Sequence, residues 1–202
     1  MAPGLLVLAC GALAHELKAI VEQHALASSV VVECLPASLH NRPSEITGAV
    51  AERITRARER HGDDVRILVG YADCGTGGHL QALCADQDVE MLDGAHCYEF
   101  FATSPRFAEL QDAEIGSFYL TDFLVRHFDR MVWQGLGLDR HPELLSAYFG
   151  NYTRLVYLAQ TDDPALRTAA ERAAQRLGLP LLVEPTSYGE LETTVVSIGA
   201  RA

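Results

Sequence analysis

"VRILVGYADCGTGGHL", residues 65–80, decides the fold. Arg66–Val69 reads as a short buried strand. It runs into a loop with four glycines, Gly70, Gly75, Gly77 and Gly78, set around Cys74, and a short helix follows at His79–Cys84. A buried strand, a glycine loop and a helix in succession form half of a crossover unit.

The same rhythm extends outward. Leu5–Leu8 is a first strand, followed by an amphipathic helix over about Ala12–His24, and Val30–Glu33 is a second strand. After "CLPASLHNRP", Ser44 has the character of an N-cap for a long helix to about Arg60. Val89–Leu92 is a weak fourth strand. The segment from about 98 to 150 reads as mostly helical. Leu155–Leu158, the helix of "TDDPALRTAAERAAQRLG" ended by Gly178, and Leu181–Val183 restore the alternation, with Thr193–Ile198 as an edge strand. Strands alternating with helices predict an α/β, three-layer, Rossmann-like fold with a mostly parallel sheet and helices on both faces. The expectation is a single α/β domain over 1–202, or two pseudo-related halves sharing a sheet.

Composition narrows the function classes. The chain has 202 residues, is 49% apolar and carries a formal net charge of −11, its acidic residues spread along its length. That balance argues against nucleic acid or an anionic membrane surface as partner, since both require a basic footprint. The apolar start, "MAPGLLVLAC", has no Lys or Arg before it and is short and β-rich, so a core strand fits better than a signal peptide. No run reaches the roughly 18 apolar residues of a membrane span. A cytoplasmic location is expected. Five cysteines, an odd number, in such a setting favour reduced thiols or ligands over a disulfide framework.

The placement of those cysteines is the main functional signal. Cys10, Cys74 and Cys97 each follow a strand, and ligands of open parallel sheets bind at the carboxyl ends of strands. Three thiols distant in sequence thus project from one edge, where a shared metal site is the expectation and small apolar filler its alternative. Cys34 and Cys84 read as small apolar filler. Gly75, Gly77 and Gly78 are candidate cofactor-binding positions, where backbone N–H groups approach sulfides or an anion. "GTGGHL" lacks the Lys-Ser/Thr of a phosphate loop. His40 follows strand two and belongs at the same edge. His96 adjoins Cys97, and His79 follows the glycine loop; the remaining histidines read as solvated. The apolar and aromatic stripe of "FYLTDFLVRHFDRMVWQGLGL" reads by default as core. Its alternatives are a homodimer face, with Trp133 and Tyr148 as the positions to inspect, or a lid.

Taken together, "LACGAL", "LPASLHNRP", "ILVGYADCGTGG", "GAHCYEFF" and "GSFYLTDF" resemble a family of prokaryotic proteins known only as a domain of unknown function. The resemblance implies a setting beside corrinoid-dependent methyltransferase systems, in one-carbon or methylated-amine metabolism. The corrinoid carrier itself is not expected, because "DGAHCY" lacks the D-x-H-x-x-G spacing.

Three functions follow as expectations. The first is a metal-dependent lyase or transferase, with Cys10, Cys74 and Cys97 holding either a [4Fe–4S] cluster, which the resemblance favours, or zinc. His40 and Tyr119 are then catalytic candidates, and Arg42 and His96 contacts to a small-molecule substrate. The second is a hydrolase or transferase with Cys74 as nucleophile. The third is a non-catalytic metal or cofactor chaperone, or an accessory protein of a corrinoid methyltransferase system.

Overall fold

The computed structural model describes residues 3–201. The chain divides into two compact units. One comprises the chain up to Phe100 together with the segment from Glu190 onward, and the other is Phe101–Gly189. Each has its own parallel sheet flanked by helices, so the architecture is three-layer α/β and Rossmann-like, with two sheets in place of a shared one.

In the first unit the elements run β1 (Leu5–Cys10), α1 (Ala14–Gln23), β2 (Val30–Leu35), α2 (Ile46–His61), β3 (Ile67–Gly70), α3 (His79–Asp86), β4 (Glu90–Met91) and the start of α4 (Cys97–Ala102). The sheet order is β2-β1-β3-β4, all parallel. Ser44 caps nothing. It lies within a 3₁₀ turn, Pro43–Glu45, where Pro43 supplies the preset φ that starts the helix.

Side chains alternate across a strand, and that alternation builds the core. Leu6, Leu8, Ile67 and Val69 pack on one face against Val50, Ile54 and Ala57 of α2 and Leu80 and Cys84 of α3. Continuing the same period places Cys10 and Tyr71 on this face, and both pack against the cluster. Gly70 is forced by close approach: a Cβ there would sit 2.7 Å from the Cβ of Ala9, its partner in β1.

The second unit holds α5 (Ser104–Ala113), β5 (Ser117–Thr121), α6 (Asp122–Arg126), a π-helical turn (Asp129–Trp133), α7 (Leu145–Phe149), β6 (Arg154–Ala159), α8 (Pro164–Leu177) and β7 (Leu181–Pro185). Its sheet order is β5-β6-β7, again parallel. Asp163 caps α8 by accepting the Ala165 amide, and Gly178 ends it in the left-handed region. The carboxylate of Asp122 is buried at the end of β5. It accepts from the Tyr157 hydroxyl at 2.7 Å, the Thr161 hydroxyl at 2.5 Å and the Gln160 amide at 3.1 Å.

Two further expectations are corrected. The middle segment is mostly helical, but Ser117–Thr121 within it is the strand β5, which was not expected. The C-terminal segment is a helix, α9 (Gly189–Gly199), where an edge strand was expected. α9 belongs to the first unit from Glu190 onward, buries Leu191, Val195 and Ile198, and meets β2 at Val30 through Gly199. Residues spaced four and three apart form one helical stripe, and burying that stripe outweighs the β-propensity of Thr193, Thr194, Val195 and Val196.

Candidate functional site

The order β2-β1-β3-β4 has a switch point between β1 and β3, where the chain leaves β1 toward one side and β3 toward the other. Open parallel sheets bind ligands in the crevice at such a point. Cys10 is the last residue of β1. Tyr71 and Cys74 lie just beyond β3.

The backbone then brings in the third thiol. The amides of Asp73 and Cys74 donate to the carbonyls of Gly94 and Ala95 at 3.0 and 2.9 Å, which carries the β3–β4 pairing into the loops and delivers Cys97 at the start of α4. A pocket of about 290 Å³ results, lined by Cys10, Cys74 and Cys97 together with His40, His96, Tyr71 and Gly75.

Each thiol is held in a specific way. The Cys10 sulfur accepts the Ala12 amide at 3.5 Å and caps the turn that follows. Burial raises the Cys10 pKa, and the Ala12 amide and the Tyr71 hydroxyl offset part of the rise. Cys74 has φ +50, a left-handed conformation seldom adopted by a non-glycine residue. Burial and the neighbouring Cys10 push its thiol up to about 11, while the backbone amides of Ala72 and Cys97 oppose the rise. Cys97 is raised well above the ordinary value, by burial and then by Cys74 and Cys10, with a smaller contribution from the Glu16 carboxyl. Burial thus favours the neutral thiol at all three positions, and Cys74 and Cys97 are raised further by their thiol neighbours.

Tyr71 was not anticipated. Its hydroxyl is buried, faces the Cys10 sulfur, and makes no hydrogen bond of ordinary geometry. The alternation Ile67, Val69, Tyr71 was the available signal, since it places the ring on the Cys10 face. His40 stands at the rim, where its side chain keeps solvent contact. Even so, surrounding protein and then the nearby His96 hold its pKa below the ordinary value.

The other candidates fall elsewhere. Gly77 and Gly78 do not line the pocket, because their amides donate to Asp73 at 3.2 and 2.7 Å, and the Thr76 hydroxyl donates to the same carboxylate at 2.8 Å. The Gly78 amide is the leading cause holding the Asp73 pKa low. The donors expected to meet a ligand thus meet the chain's own carboxylate. Arg42 is exposed and ion-paired with Glu45 at 3.0 Å, outside the pocket lining. Tyr119 is on β5 in the second unit, buried with its ring 5.2 Å from that of Phe107. His79 is exposed on α3. Cys84 is core, and Cys34 faces a separate groove beside α1.

The fit to a metal is one of donor chemistry. Three soft thiols converge on one pocket beside the buried Tyr71 hydroxyl, and the thiols are a donor set suited to iron–sulfur or zinc. Among the described residues, no three His, Cys, Asp or Glu side chains already stand in an arrangement that holds an ion. Ligation would need the thiols to lose their protons and turn inward. No helix among the described residues is long and apolar enough to cross a membrane.

Fold and site together define a parallel α/β protein whose first unit gathers three thiols at a switch-point pocket. The chain belongs to the family described as "Protein of unknown function (DUF1638)", whose model matches residues 34–195. That span contains His40, Cys74 and Cys97, whereas β1 with Cys10 precedes it. No curated protein and no solved structure matched the chain.

Proposed function

We propose that the first unit is a thiolate-ligated metal enzyme, with Cys10, Cys74 and Cys97 holding a [4Fe–4S] cluster in preference to zinc and a small-molecule substrate entering past His40. One observation carries the reading: three thiols from three separate segments line a single pocket at the switch point of the sheet. Burial is the leading cause that raises all three thiol pKa values, with smaller contributions from Cys10 to Cys74 and from Cys74 and Cys10 to Cys97, and a bound cation opposes that penalty by favouring the thiolates. The preference for a cluster over zinc comes from the family resemblance.

A cluster held by three cysteines supplies one iron with an open position for a substrate oxygen, nitrogen or sulfur. The chain's own residues do the rest. Neutral His40, at the rim, accepts or returns a proton. The Tyr71 hydroxyl donates a hydrogen bond to a ligand atom beside Cys10. Tyr98 and Phe100, also in the lining, limit water around the thiols. The setting beside a corrinoid methyltransferase system rests on the family resemblance alone.

Anaerobic reconstitution with ferrous iron and sulfide, run in parallel with zinc, tests the assignment. Uptake of about four irons and four sulfides per chain is the expected result. Tight uptake of one zinc and no iron would replace the cluster with a Cys₃His site completed by His40 or His96, the two histidines in the lining.

A further inference from the structure

The second unit has a groove of about 670 Å³ with a charge opposite to that of the protein as a whole. Four of the chain's 16 basic residues line it: Arg126 and Arg130 from α6 and the π-helical turn, and Arg172 and Arg176 from α8. His127 completes the wall, and Asp129 is the single carboxylate in the lining. Asp129 is spent on Arg176, with which it forms an ion pair. Arg126, Arg130 and Arg172 make no ion pair among the described residues. Arg172 and Arg176 lie four apart on one helix, where like charges repel, and Arg126 and Arg130 repeat that spacing opposite them. A chain with 27 acidic residues has ample means to neutralise such a cluster, yet leaves it standing.

We infer that this groove is a binding site for a small anion bearing two or more phosphates. The guanidinium fork matches phosphate oxygens in paired hydrogen bonds. Several forks around one concavity select an anion with several phosphate groups over a single carboxylate. The concave shape, closed on one side by α8, suits a small molecule better than a flat macromolecular surface.

The molecule carries its own reporter. Trp133 is the chain's one tryptophan, and the Arg176 guanidinium stacks 3.7 Å from the centre of its ring. An anion that engages Arg176 changes the environment of that indole. Full-length protein titrated with inorganic pyrophosphate at low salt is expected to show a saturable change in tryptophan emission. Sodium chloride at matched ionic strength is expected to give none. Arg130→Gln/Arg172→Gln should fold with an unchanged or raised denaturation midpoint and weaken pyrophosphate binding about tenfold or more for each arginine, the size of one lost charge-assisted hydrogen bond. Should the double variant misfold, Arg172→Gln alone is expected to show the single step. A response to chloride equal to that for pyrophosphate would overturn the inference, as would unaltered binding in the variants. So would a response to a penta-glutamate peptide without one to pyrophosphate, which would mark the groove as a surface for an acidic protein.

Discussion

The backbone amide of Cys74 donates to the carbonyl of Ala95 at 2.9 Å, and this bond aligns the loop after β3 with the segment leading to Cys97. Without that pairing the third thiol would depend on a flexible connection. With it, main-chain bonds tie the loop that carries Cys74 to the segment two residues before Cys97.

The protonation of the pocket thiols sets their reactivity. The thiolate is the attacking species, and the Cys74 thiol is pushed up to about 11. With no metal bound, iodoacetamide should modify Cys74 at pH 7.5 roughly a hundredfold more slowly than a free cysteine. The rate should rise about tenfold per pH unit until the pH nears that value. Peptide mapping after timed alkylation measures this. Rapid modification of Cys74 at neutral pH would instead support its service as an activated nucleophile.

Gly70 is a packing requirement. Its added Cβ would meet the Cβ of Ala9 at 2.7 Å and the Ala9 Cα at 3.3 Å, and neither atom sits on a flexible side chain. Gly70→Ala should therefore cost about 1–3 kcal/mol, read from the urea midpoint at constant slope, and loosen the mouth of the pocket.

The Asp122 network should dominate the second unit. Tyr157→Phe removes one donor and leaves Thr161 and Gln160 in place, so about 1–2 kcal/mol is expected. Asp122→Ala strands the Tyr157 hydroxyl and the Gln160 amide in a buried site, and about 3 kcal/mol or more is expected. Thermal unfolding compares the two. Equal losses would show that Tyr157 is the network's only effective donor.

Much of this molecule was legible in the sequence, and the failures have physical causes. β1 and β3 stand out because strands buried on both faces are continuous apolar runs. α8 stands out because Asp163 and Gly178 mark its two ends. β5 was hidden because Phe118 runs on into Phe123, Leu124 and Phe128 at near-helical spacing, and the five-residue strand has no breaker before α6. α9 was hidden because its β-branched residues speak locally for strand, while the burial of Leu191, Val195 and Ile198 is a tertiary effect. At the site, the positions of Cys10, Cys74 and Cys97 follow from strand ends. The roles of Gly77 and Gly78 do not, since Asp73 lies four and five residues before them and nothing local shows that its carboxylate folds back onto their amides.

The central claim is tested most directly by metal and sulfide analysis of anaerobically purified protein beside its five single Cys→Ser variants. Cys10→Ser, Cys74→Ser and Cys97→Ser are each expected to lose most of the bound iron, because a neutral hydroxyl replaces a thiolate ligand. Cys34→Ser and Cys84→Ser are expected to keep it, with Cys84→Ser losing about 1–3 kcal/mol of stability for a buried hydroxyl. Equal metal content in all five variants, or a wild-type protein that takes up neither iron nor zinc, would contradict the account.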